Sequence, residues 1–136
     1  MKHNGPLLME VAPYIKDYDT IHKLNLCDYA SAEAQVAAIS DDIAYNSHDL
    51  HDGLRAELFS IEELASLPLL SECFQEVDRK YPQINQYRRQ HEALRYFLGM
   101  LVDDVLKEAQ KTFAKLAPKS SDDLRKAGIN VIGFSY

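Results

Sequence analysis

Residues 41–52 read Asp-Asp-Ile-Ala-Tyr-Asn-Ser-His-Asp-Leu-His-Asp. Carboxylates and imidazoles at such short spacing can do two kinds of chemistry. His48 and His51 stand at i, i+3 and can chelate a metal ion loosely. The tighter helical arrangement sets its histidines at i, i+4, and a stable site needs three or four protein ligands with outer partners. The other possibility is a polar wall. On a helix, residues four apart share a face, so Asp41, Tyr45 and Asp49 fall in one row, with His48 and Asp52 beside them. Asp42 turns about 100° away from that row. A carboxylate, a phenol and a second carboxylate in line suit a metal or phosphate at one end and a ring and a hydroxyl further along. His48, His51 and Asp52 read more readily as a solvated helix face.

The row needs a long helix to carry it. Residues 30–54 are rich in Ala, place Val36, Ile39, Ile43 and Leu50 at helical period, and meet Gly53 at the end. Ser31 suits the N-cap, but Ala34 stands where a capping-box Glu belongs. A short helix over about 14–23 precedes it. Ser60 and Glu63 form a capping box for a short helix that Pro68 ends. Residues 69–81 form another helix, stopped by Pro82. The longest is expected over 84–116, where Leu94, Phe97, Leu98, Leu101, Val102, Val105 and Leu106 repeat at helical spacing. A capped short helix over 120–128 ends at Gly128, and the apolar tail 129–136 can form one strand. The class is all-α, about five helices with two long ones, in a single domain over 1–136.

The 136 residues are 46% hydrophobic and 26% charged, enough for a packed core. A formal net charge of -6 argues against duplex nucleic acid as partner. Cys27 and Cys73 lie far apart, without a C-x-x-C pair, and both read as small buried hydrophobes. No apolar run has membrane-spanning length and the start lacks the pattern of a signal peptide, so a cytoplasmic location is expected.

Four blocks, "KHNGPL" at 2–7, "AEAQVAAISDDIAYNSHDLHDGLRAELF" at 32–59, "MLVDDVL" at 100–106 and "SSDDLRKAG" at 120–128, resemble one family. It is the bacterial deoxyguanosine-triphosphate triphosphohydrolase-like family of HD-domain phosphohydrolases. The resemblance implies hydrolysis of a dNTP, dGTP foremost, to the deoxynucleoside and inorganic triphosphate. It implies a divalent metal (Mn, Mg or Fe) held by a lone His, a His-Asp pair and a distant Asp. Asp41 matches that distant Asp. Tyr45 and Asp49 match the positions that hold the sugar, the carboxylate accepting from the 3′-hydroxyl. Arg88, Arg89, Gln90 and His91 lie where related enzymes present nucleotide-contacting side chains. The metal-binding His-Asp pair precedes "KHNGPL" in the family, so His48-Asp49 and His51-Asp52 are expected not to be it.

The same comparison carries departures. The family's N-terminal metal-ligand region and its C-terminal helices have no counterpart in the sequence. Glu57 stands where Gly is usual, which is expected to alter a packed turn. With one of four metal ligands, the isolated chain is expected to bind metal weakly and to be inactive. A homo-oligomer is expected from the broad apolar stripe of the long helix. The competing reading is a non-catalytic helical interaction module that associates with itself or with an intact paralogue.

Overall fold

The computed structural model describes residues 2, 3 and 5–135. Its elements are helices in the order α1 (Pro13–Ile21), α2 (Ala32–Arg55), α3 (Ile61–Ala65), α4 (Pro68–Lys80), α5 (Gln86–Leu116) and α6 (Ser121–Arg125). That is six helices among the described residues, where the sequence pattern predicts about five. The two shortest both form because both are fully capped. Ser60 accepts from the Glu63 amide while Glu63 accepts from the Ser60 amide, and Ser120 and Asp123 repeat the exchange. Pro13 and Pro68 each sit in the first turn of a helix, where a missing N–H costs nothing.

The end of α2 explains the residue at 57. Leu58 N–H donates to Gly53 O at 3.0 Å and Glu57 N–H donates to Leu54 O at 3.2 Å. These are the two bonds of a Schellman turn, which needs a left-handed residue between them. Glu57 takes that place with φ 56°. The turn therefore keeps its form without glycine, at the expense of local strain. Gly53 has a different reason to be glycine. A Cβ there would lie 2.4 Å from Phe59 Cζ.

The chain divides into two compact units. One is continuous, Asp41–Asp104, and its core gathers Ile61, Leu64, Leu70, Cys73, Phe74, Val77, Ala93 and Leu94. Leu50, Leu54, Phe59 and Met100 pack around them. Cys73 is wholly buried, its thiol directed at Leu69 O and the Met100 sulfur, and burial pushes its pKa up. Arg89 ties α4 to α5 in this unit, with Nε 2.6 Å and Nη2 2.7 Å from the two Asp78 oxygens and its guanidinium over the Phe74 ring. This pairing holds the Asp78 carboxyl below its ordinary value.

The other unit runs up to Ser40 and resumes at Val105. Its buried residues include Val105, Leu124, Val131 and Ile132, with Gln35 among them. Gln35 Oε1 accepts from the amides of Val131 (2.8 Å) and Ile132 (3.2 Å), and its Nε2 donates to Ala30 O at 2.9 Å. The tail is therefore not a strand within the described residues, and Tyr136 lies outside them. A strand needs a neighbour to pair with, and a glutamine side chain meets the buried amides instead. At the other end, Lys2 Nζ donates to the carbonyls of Asn25 and Asp28, and Leu7 N–H donates to Leu26 O. Cys27 is exposed, contrary to the expectation of burial, because it sits in this loop rather than in a helix.

Candidate functional site

The polar row of α2 lies in the continuous unit. Ile43 is 5% exposed, and Leu50 and Leu54 lean on the core. Those three fix the helix's rotation, and the helical period then turns Asp41, Tyr45 and Asp49 outward. All three are exposed, Tyr45 at 69%. The structure thus brings the three together on one open face. His48 and Asp52 are exposed as well, and Asn46 Nδ2 donates to Asp42 O one turn back.

His51 does not belong to that solvated face. It is half-buried, with Nε2 3.2 Å from Nδ1 of His91 on α5 and the ring centroids 4.7 Å apart. The Tyr87 ring meets His91 edge-on at 4.4 Å. One imidazole of this pair donates and the other accepts, so at least one is neutral at its shared nitrogen. His91 Nε2 is buried without a hydrogen-bond partner among the described residues. The pairing was invisible in the sequence because its members are 40 residues apart, and the local spacing around each says nothing of the other.

The four α5 candidates point to different places. Arg88 and His91 line one cleft with residues of the α4–α5 turn. Gln90 lines another, beside Leu54, Phe59 and Glu63. Arg89 is committed to Asp78. Among the described residues, no group of three or more His, Cys, Asp and Glu side chains is placed to hold a metal ion. Asp41 is one exposed carboxylate, so the described residues do not by themselves fit a chelated catalytic ion. No helix among them is long and apolar enough to cross a membrane.

The chain was compared with known proteins. No protein-family model matches it, and no solved structure matches it. It is 58% identical, over 98% of its length, to a deoxyguanosinetriphosphate triphosphohydrolase-like protein of Roseobacter denitrificans, covering 35% of that protein. Proteins of the same name from a Jannaschia species and from Parvibaculum lavamentivorans are 55% and 42% identical, over 98% and 99% of this chain and 34% and 36% of theirs. The chain thus spans about a third of the length of the curated relatives it matches. Identity of 58% spread over 134 of the 136 residues makes the chain homologous, over nearly its whole length, to the deoxyguanosinetriphosphate triphosphohydrolase-like proteins.

Proposed function

We propose that this chain is a single helical piece of a dNTP triphosphohydrolase, a protein that cleaves a dNTP, dGTP foremost, into deoxynucleoside and inorganic triphosphate. The observation that carries this reading is the open row Asp41–Tyr45–Asp49, in a chain 58% identical to a protein named for that chemistry. Asp41 gives one carboxylate to a divalent metal (Mn, Mg or Fe) whose other ligands come from outside the residues described. Asp49 accepts a hydrogen bond from the deoxyribose 3′-hydroxyl, and Tyr45 packs its ring on the sugar. Arg88, Gln90 and His91 are secondary candidates for contact with the nucleotide, while Arg89 already serves Asp78.

The test joins this chain to the remaining portions of the Roseobacter relative and measures triphosphate release from dGTP with manganese. The joined protein should be active, and the chain alone should release nothing. Asp41→Ala should abolish release in the joined protein. Asp49→Ala should chiefly relax discrimination at the sugar, because it removes an acceptor built for a hydroxyl. Full activity of the joined Asp41→Ala variant would refute the assignment.

One observation favours a second reading, an interaction module. Helix α1 buries none of its residues, and Tyr14, Tyr18 and Ile21 are 73%, 55% and 85% exposed. Apolar area of that kind favours association with a second copy. Light scattering at tens of micromolar distinguishes the two readings, and a monodisperse monomer removes the second.

A further inference from the structure

Gly99 lies inside α5, on the stretch of that helix that belongs to the continuous unit. Glycine in a helix interior is less stable than alanine, so its presence calls for a reason. The described residues supply none. Gly99 is not one of the glycines with positive φ, and a Cβ built on it meets no atom within 4 Å. It leaves helix backbone bare in the wall of an open groove of about 400 Å³ between α4 and α5. Bare backbone of this kind admits a neighbour that approaches closely.

The residues around Gly99 identify that neighbour. Surface positions on a helix are ringed by residues three and four away. For Gly99 these are Arg95, Tyr96, Val102 and Asp103, all exposed. Tyr96 is 45% exposed and Val102 42%, so both apolar members are open to a partner. Asp103 has no hydrogen bond or ion pair among the described residues. Arg95 spends only Nη2 on Glu92, which leaves the rest of its guanidinium open. The order cation, ring, glycine, apolar, anion is complementary to its own reverse. A two-fold axis through Gly99 sets each residue against the one equally far from it on the other side. Arg95 then faces Asp103 of a second copy, Tyr96 faces its Val102, and symmetry makes each contact twice.

We propose that this face of α5 docks a second copy of the chain, the two helices antiparallel, crossing at Gly99, with Arg95 on Asp103 and Tyr96 on Val102. The proposal depends neither on the triphosphohydrolase reading nor on the exposed face of α1.

The test is sedimentation equilibrium of the isolated chain from about 1 to 500 µM, with dimer dissociation constants compared among variants. The parent should dimerise. Gly99→Leu fills open space in the monomer and blocks the crossing, so it should weaken the dimer at least about tenfold while keeping the parent's helical spectrum. Arg95→Asp and Asp103→Arg each set like charges face to face, and each should weaken it at least about tenfold. The double variant restores opposite charges with their places exchanged and should return to within about threefold of the parent. Tyr18→Asp, on the exposed face of α1, should dimerise like the parent. The proposal is overturned if the parent stays monomeric throughout, if a helical Gly99→Leu variant dimerises unchanged, or if the double variant is no tighter than the two single reversals. A dimer that Tyr18→Asp breaks and Gly99→Leu spares also overturns it, and leaves association through α1 standing.

Discussion

Replacing Glu57 by glycine should make this protein more stable, although it deletes a side chain and adds flexibility. Glu57 is held at φ 56° between the two Schellman bonds that close α2. A left-handed conformation costs an L-residue about 1–2 kcal/mol. Glycine avoids that cost but loses more backbone freedom on folding, which returns about 0.5–1 kcal/mol. A second effect has the same sign. A carboxylate just past the C-terminus of a helix faces the negative end of its dipole, worth about 0.3 kcal/mol at an exposed site. Glu57→Gly should therefore gain about 1 kcal/mol. Glu57→Ala separates the two contributions, since it removes the charge and keeps the strain, and should gain only about 0.3 kcal/mol. Urea unfolding monitored by circular dichroism reads both as midpoint shifts at constant slope. If Glu57→Gly is no more stable than Glu57→Ala, the left-handed residue is not strained and the reasoning is wrong.

Gly53→Ala should destabilise by about 1–3 kcal/mol in the same assay, because the new methyl meets the Phe59 ring at 2.4 Å and the ring is packed on the core. Gln35→Leu should cost about 3 kcal/mol, since it leaves the Val131 and Ile132 amides buried with no acceptor, and hydrogen exchange at those two amides should speed up most. Asp78→Asn should cost about 0.5 kcal/mol at neutral pH, a figure kept small because the pair is partly solvated. The folded Asp78 carboxyl is held below its ordinary 3.8, so its stabilisation is present above that pH and is lost as pH falls through the lower folded value. The difference between Asp78→Asn and parent should accordingly vanish at the acid end of a pH series of unfolding curves.

Local signals in the sequence carry the helices. Ser60 with Glu63 marks a helix start, and the order and approximate limits of the helices follow from period and stop residues, while the Ser120–Asp123 cap emerges only in the structure. The row Asp41–Tyr45–Asp49 was equally legible, because a face of a helix is fixed by spacing alone. Periodicity did not measure depth. Val36, Leu98, Val102 and Leu106 keep the helical repeat yet are 46%, 37%, 42% and 54% exposed, since the apolar stripe is wider than what packs on it. Contacts between distant segments left no trace. The His51–His91 pair, the Gln35 bonds to the tail and the commitment of Arg89 to Asp78 each join residues far enough apart in sequence that no local spacing links them.

The Gln35 bonds also bear on the order in which the chain acquires its structure. They join residues 96 and 97 positions apart, with the whole of Asp41–Asp104 between them in sequence. Closing a loop of that length from a fully flexible chain would cost ~4 kcal/mol in entropy before any contact rewarded it. The cost shrinks once the intervening segment has condensed, because only short stretches on either side then remain free. The inner segment can condense from contacts within itself, whereas the outer one must wait for chain from both ends. Gln35 is thus placed to act as a late latch, engaging its two amides after the inner core has formed. A defect at this residue should leave early folding untouched and appear as faster opening of the outer unit.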